Sequence, residues 1–331
     1  MINIESIQNF AQFEVLADPR RLYILKLLMS RAATLTQLGE RLGEHPAWVR
    51  HHVKRLEQDG LIEMVDVRVV SGYVEKYYRA KAGAFLFQQI ILPDFSGQNA
   101  VVLLGSDDLA LNLLALHLQQ HDAPFQLVVL PVGSLDGLVA LRQGLTQLSG
   151  CHLLDRESGE YNRPYVRHIF PGCSMILVTL AQREQGLAVS PGNPLGLRSL
   201  EDLVSKEARI INRNPGSGTR IWLDQQLTQM GVETGQVRGC DQEAYTHKAV
   251  AQAVLEGVAD AGIVLAAVAR QYSLGFIPLF QERYDLVIPA STFPDPHIQS
   301  LLAFLRSHEF RRSANQLDGY HTEMMGEELR V

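Results

Sequence analysis

Apolar residues fall at helical spacing early in the chain: Phe13 and Leu16, then Leu22, Ile24, Leu25, Leu27 and Leu28. Asp18-Pro19 reads as an N-cap followed by proline in the first turn. A second short helix is predicted from a Thr34 cap to Leu42, and Gly43-Glu44-His45 is the turn after it. Pro46 opens a third helix that runs to about Asp59, with Val49, Val53 and Leu56 on one face and Gly60 closing it. Residues 61–70 and 73–79 are rich in β-branched and aromatic side chains and are split by Ser71-Gly72, a hairpin signal. Helix, tight turn, helix and hairpin is the order of an α+β winged helix-turn-helix. A further helix is expected over residues 82–92. Residues 93–99, Pro-Asp-Phe-Ser-Gly-Gln-Asn, read as a linker.

Beyond residue 99 the pattern changes. Val101-Val102-Leu103-Leu104 is a short buried-strand run, followed by a helix over residues 108–120. A second strand at 127–130 precedes a helix at 135–145. Strand runs recur at 176–180, 210–211, 261–265 and 286–288. Strands alternating with helices predict an α/β domain with mainly parallel sheet. The expected organisation is a DNA-binding unit over 1–92, a linker over 93–99 and a second domain over 100–331.

Charge supports a split of duties. The chain of 331 residues carries a net charge of −6, but residues 1–83 hold 12 Lys+Arg against 10 Asp+Glu, a balance of +2, so the remainder carries −8. A mildly basic head on an acidic body fits a DNA reader joined to a domain with another task. No apolar run nears the ~20 residues of a membrane span. Met1-Ile2-Asn3-Ile4-Glu5-Ser6 lacks the basic and apolar regions of a secretory signal, so a cytoplasmic location is expected. Cys151, Cys173 and Cys240 are odd in number and far apart, which argues against a disulfide framework.

In the head, the third helix would enter the major groove by its N-terminal half. It presents His45, Trp48, Arg50, His51, Lys54 and Arg55, and the hairpin adds Arg68 and Lys76 for phosphates. His51 and His52 are adjacent, point about 100° apart and lack a third ligand, so no metal site is expected there. In the second domain, Asn212-Arg213-Asn214-Pro215-Gly216-Ser217-Gly218-Thr219 links a strand to a helix. Small residues there bare the backbone N–H groups at a helix N-terminus, which favours an anion. No Lys follows the glycines, so this is not a nucleotide P-loop. Gly105-Ser106-Asp107-Asp108 and Gly133-Ser134-Leu135-Asp136 repeat the same turn chemistry after two other strands. Three such turns at carboxyl ends of strands can converge on one cleft. Asp107, Asp108 and Asp136 are expected to cap or stabilise their helices rather than touch an anion.

Leu16-Ala17-Asp18-Pro19-Arg20-Arg21-Leu22 together with His51-His52-Val53-Lys54-Arg55-Leu56-Glu57-Gln58-Asp59-Gly60-Leu61-Ile62 resembles the ArsR-type winged-helix regulators, over about residues 10–80. The resemblance implies a homodimer on a pseudo-palindromic duplex operator. The thiolate motif of metal-sensing members is replaced by Thr36-Gln37-Leu38-Gly39-Glu40. Residues 100–320 resemble the two-lobed (type II) periplasmic-binding-protein-like domains, and more distantly tungstate- and molybdate-binding proteins. The likeness rests on Gly133-Ser134, His152-Leu153-Leu154-Asp155, Gly159-Glu160-Tyr161-Asn162, Arg183-Glu184-Gln185-Gly186, Pro191-Gly192-Asn193-Pro194, Arg213 before Ser217-Gly218-Thr219, Ala244-Tyr245-Thr246-His247, Gly257-Val258-Ala259-Asp260 and Glu282-Arg283-Tyr284-Asp285. It implies that Ser106 and Ser134 hold a small anion from one lobe and Arg213, Ser217, Gly218 and Thr219 from the other. Thr246 and His247 are second candidates, which read more readily as a cap and a surface histidine than as ligands. Arg183 and Glu184 are read as a structural ion pair. The expectation is a ligand-responsive transcriptional regulator without cofactor, metal or catalytic set, whose effector is an oxyanion such as molybdate or tungstate. The alternatives are a small organic metabolite as effector, or a hydrolase built on Ser106 or Ser217 with His247 and an Asp.

Overall fold

The computed structural model describes residues 3–7, 10–70, 72–87 and 99–331. It divides into two compact units, Met1–Ile91 and Leu92–Val331. Of the expected linker, only Asn99 is described, and it opens a strand; residues 93–98 lie outside the described residues.

The first unit runs β1 (Ile4–Ile7), α1 (Phe10–Leu16), α2 (Pro19–Ser30), α3 (Leu35–Leu42), α4 (Pro46–Gln58), β2 (Ile62–Val70), β3 (Tyr73–Ala80) and β4 (Ala84–Phe87). Its helix starts follow local chemistry. Asp18 Oδ1 accepts the Arg20 N–H at 2.8 Å. Thr34 and Gln37 exchange side-chain and backbone bonds in a capping box, and Gly43 closes α3 at φ 68°. Ile24, Leu25, Leu28, Leu38, Val49, Val53 and Leu56 form the core between α2, α3 and α4. β2 and β3 pair antiparallel as the expected hairpin. The helix expected over 82–92 is corrected. Ala84-Phe85-Leu86-Phe87 is strand β4, paired in parallel with β1, because an apolar aromatic run finds a strand partner in Ile4–Ile7; residues 88–92 lie outside the described residues.

The second unit starts β5 (Asn99–Gly105), α5 (Leu109–Gln120), β6 (Phe125–Pro131), α6 (Ser134–Arg142), β7 (Leu148–Cys151), α7 (Arg163–Ile169) and β8 (Met175–Val189). It continues α8 (Glu201–Ser205), β9 (Ile210–Arg213), α9 (Gly218–Gln229), β10 (Glu243–Ala244), α10 (His247–Leu255), β11 (Ala261–Leu265), α11 (Ala266–Gln271) and β12 (Gly275–Pro289). The chain closes with α12 (Pro296–Leu305), α13 (His308–Ala314), β13 (Tyr320–His321) and β14 (Glu328–Arg330). One mixed sheet has the order β10-β9-β11-β8-β12-β7-β5-β6, with β13 and β14 added on β8. Pairing is parallel within β7-β5-β6 and within β11-β9-β10, as expected. The two groups are joined by β8 and β12, antiparallel strands of 15 residues each. Two apolar cores flank this crossing, one built on Leu103, Leu114 and Leu302, the other on Leu187, Leu203, Trp222 and Leu227. They make two lobes with β8 and β12 as the shared seam. Gly105 lies so close to Gly150 on β7 that any Cβ would collide with its backbone, which draws the carboxyl ends of β5 and β7 together. Among the described residues no helix is long and apolar enough to cross a membrane.

Candidate functional site

In the first unit, the expected reading helix is α4. Arg50, His51 and Lys54 are exposed on it. Arg50 and Lys54 share one groove of about 490 Å³ with Lys76 of the hairpin. The other candidates are more committed. His45 is the N-cap of α4, its Nδ1 accepting the Ala47 N–H at 3.2 Å. Arg55 pairs with Asp59 at 3.2 Å, and Arg68 pairs with Asp66 at 2.7 Å while stacking on Tyr77. Trp48 is half-buried between the Arg20 guanidinium and the His52 ring.

In the second unit, four helices begin around one buried cluster: α5 after Asp108, α6 at Ser134, α9 after Ser217 and α10 after Thr246. Arg183, from the middle of β8, is fully buried and lies opposite Glu282 of β12 in register. Its Nε donates to Glu282 Oε1 at 2.6 Å and its Nη1 to Asp108 Oδ2 at 2.5 Å. The expected pairing of Arg183 with Glu184 is thus corrected: side chains alternate along a strand, so neighbours in sequence face opposite sides. Glu282 also accepts from Gln185 at 2.5 Å and from His152 Nδ1 at 2.6 Å. His152 Nε2 meets Ser106 Oγ at 2.9 Å, and Ser134 Oγ donates to Ser106 Oγ at 3.1 Å. Ser106, Ser134, Arg213, Ser217, Thr219 and His247 are all 0–1 % exposed.

The lobes touch over this cluster. Leu135 N donates to Gly216 O at 3.0 Å, and Asn214 Nδ2 donates to Val132 O at 3.1 Å. A Cβ on Gly218 would strike His152. Arg213 reaches in from the end of β9, held by the carbonyls of Ala244 and Tyr245. Among the described residues its Nη1 has no hydrogen-bond partner, nor has Nη2 of Arg183. Both ring nitrogens of His247 are likewise unpartnered; the ring approaches the Ile263 carbonyl short of hydrogen-bond geometry. His247 is therefore not the surface histidine that one reading expected. Asp107 accepts the His247 N–H at 3.0 Å, so it caps α10 rather than its own helix. Asp108 does cap α5, through Leu111 N. Thr246 is a cap, accepting from Ala249 N. Ser217 caps α9 through Arg220 N, and the Thr219 hydroxyl is committed to Gln185. Arg220 points elsewhere, to Asp224 and Glu243.

Burial and neighbours set the charges. Burial lowers Arg213 to about 10, against the pull of Asp107. Burial pushes Asp107 up, although Arg213 draws it down. Burial, then Arg213 and Arg183, hold His247 well below the ordinary imidazole range, so it is neutral. Burial also lowers His152, against Glu282. A neutral His152 beside an ionised Glu282 carries its proton on Nδ1, which leaves Nε2 to accept the Ser106 hydroxyl. The serine–histidine chain that the hydrolase alternative drew to His247 runs instead from Ser106 to His152 and Glu282. His152, Gln185, Glu282 and Tyr284 had no assigned role; the signal was polar residues at period two inside apolar strands, Arg183 and Gln185 on β8, Glu282 and Tyr284 on β12.

Comparison with known proteins agrees with this architecture. Residues 18–64 match the sequence model described as bacterial regulatory protein, arsR family. Residues 115–306 match the PBP superfamily domain. The chain is 34% identical over 227 residues to uncharacterized protein YvgK of Bacillus subtilis (strain 168), covering 68% of this chain and 72% of that one. It is 32% identical over 107 residues to an uncharacterized protein in the ferredoxin 2Fe-2S gene 5' region of Clostridium pasteurianum, covering 32% and 95%. Among solved structures, a putative phosphate ABC transporter substrate-binding protein with bound phosphate from Clostridium perfringens superposes with TM-score 0.51 at 14% identity, covering 66% of this chain and 97% of that one.

Glu282 gives a pH test of the cluster. Burial works to raise its carboxyl, but Arg183 and His152 outweigh that and hold it at about 2 against an ordinary 4.5. Its contribution to stability is whole above about 4.5 and is lost as pH falls toward about 2. Glu282→Gln should lower stability at neutral pH by ~3–5 kcal/mol, as for a broken buried pair, and should flatten the acid decline of Tm. Equal slopes in the two proteins would contradict the network.

Proposed function

This chain belongs to the PBP superfamily, with an arsR-family segment at its head, and from that premise we propose that it is a ligand-responsive, DNA-binding transcriptional regulator. In this proposal residues 1–92 bind duplex operator DNA, residues 93–99 link, and residues 100–331 sense a small oxyanion. The working form is a cytoplasmic homodimer, one head per half-site. Molybdate and tungstate, both tetrahedral dianions, are the first effectors to test.

The observation that carries the anion reading is the set of buried donors without a partner, Arg183 Nη2 and Arg213 Nη1, where four helix N-termini meet. Each unpartnered buried donor costs ~1–3 kcal/mol. An oxyanion offers several acceptors at once and suits the positive ends of helix dipoles. Ser106 and Ser134, whose hydroxyl protons go to His152 and to Ser106 respectively, would turn them to the anion from one lobe, and Ser217 adds a hydroxyl from the other. With the cluster sealed, entry needs the lobes to part across β8 and β12, a hinge motion. The anion then favours the closed state, and only that difference in affinity can pass to the head.

A second reading is a hydrolase, favoured by the chain Ser106–His152–Glu282, which has the order of nucleophile, base and orienting carboxylate. Against it, Glu282 is shared with Arg183 and Gln185, and the Ser106 hydroxyl is enclosed by Ser134. We therefore assign the chain to positioning the two serines.

Calorimetry on the full chain with molybdate, tungstate, phosphate, sulfate and neutral metabolites tests the sensor. A charged hydrogen bond is worth ~1.5–3 kcal/mol, so Arg213→Ala should weaken oxyanion binding roughly ten- to a hundredfold. Arg213→Lys should restore part of it, since lysine lacks the planar fork. Binding of a neutral metabolite and of no oxyanion would overturn the anion reading.

For the head, Arg50→Ala with Lys54→Ala should abolish retention of operator DNA while the unfolding temperature is kept. Each lost phosphate contact should lower the slope of log affinity against log salt by about one. Unchanged, salt-dependent DNA binding by the double variant would remove α4 as the reader.

A further inference from the structure

On the far end of α5 from the cleft, two histidines and a carboxylate come together. His117, in the last turn of α5, and His121, the C-cap that follows the helix, stand four residues apart, which brings them to the same side of the helix end. Their rings are nearly parallel, with centroids 6.3 Å apart. Glu309, in the first turn of α13, faces both: its Oε1 is 3.9 Å from His117 Nδ1 and 3.4 Å from His121 Nε2. The three donor atoms lie within 4.8 Å of one another, and among the described residues this is the one such group of His, Cys, Asp and Glu.

A hydrogen-bonded ion pair accounts for less than half of this arrangement. Only His121 comes within hydrogen-bond reach of Glu309; His117 at 3.9 Å does not. Both rings are nonetheless held in place, His117 edge-on to Phe310 and His121 against Phe304. Donors around a tetrahedral ion with bonds of ~2.0–2.2 Å stand about 3.4 Å apart. The His121–Glu309 separation already matches, and the rest needs a shift of about 1 Å. His121 and Glu309 have side chains 43% and 62% exposed, so their ends have room to make it.

We infer that His117, His121 and Glu309 bind one divalent first-row transition-metal ion of the zinc class, with water completing the coordination. Two imidazoles and one carboxylate suit Zn²⁺ or Co²⁺ rather than Mg²⁺ or Ca²⁺, which take all-oxygen sets. The ion ties α13 to α5, the helix whose other end begins in the anion cleft. The site stands apart from the cleft chemistry and does not depend on the effector reading.

The test is a Co²⁺ titration of the metal-stripped full chain without a polyhistidine tag, followed by visible absorption, with Zn²⁺ as competitor. One saturable equivalent displaced by Zn²⁺ is expected, and Zn²⁺ should raise the unfolding temperature. His121→Ala, a surface change, should weaken Co²⁺ binding at least about tenfold and remove the Zn²⁺-dependent thermal shift. Glu309→Gln should weaken it less, and His51→Ala in the head should leave it unchanged. Absence of saturable Co²⁺ binding by the parent protein would overturn the site. So would binding of undiminished affinity in the His117→Ala, His121→Ala double variant.

Discussion

A guanidinium taken out of water needs opposite charge and an acceptor for each of its N–H groups, or it is strongly destabilising. Arg183 sits under that demand at the centre of the second unit. Its two carboxylates come from different parts of the chain, Asp108 at the start of α5 and Glu282 across the strand pair, and each is then tied further. Tyr320 donates to Asp108, while His152 and Gln185 donate to Glu282. Through His152 the network sets the serines, and through Gln185 it reaches Thr219 of the opposite lobe. The crossing strands, both lobes and the helix starts are thereby fixed relative to one charge.

That charge is incompletely matched, and so is its neighbour. Among the described residues Arg213 has backbone carbonyls but no carboxylate within hydrogen-bond distance, and each guanidinium keeps one unpartnered nitrogen. A closed cleft with unmet buried donors is less stable than one whose donors are met by a ligand. In the proposed reading, closure and ligand occupancy are a single equilibrium, which is the property a sensor requires. Asp107 and the neutral His247 set the polarity of the same space.

Much of this was legible in the sequence because it was local. Thr34 with Gln37, Asp18 before Pro19 and the hairpin around Gly72 are signals confined to a few residues. The glycine-serine turns foretold which helix starts would meet, and Ser106, Ser134, Arg213 and Ser217 do lie in one buried cluster. The lengths of β8 and β12 were underestimated since charged residues in mid-strand look like loop. Arg183 and Glu282 become core residues only when paired, and that pairing joins positions 99 apart in the chain. His152, like the His117–His121–Glu309 group, was missed for the same reason: its partners are brought by topology.

The central claim is that one oxyanion joins the two lobes through their helix starts. Amide hydrogen exchange on the full chain, with and without saturating molybdate or tungstate, tests it most directly. The account predicts slowed exchange in the first turns of α6, α9 and α10 together, since all three lie on the closing cleft. Unchanged exchange at those turns in the saturated protein, or protection confined to α4 and the hairpin, would contradict it.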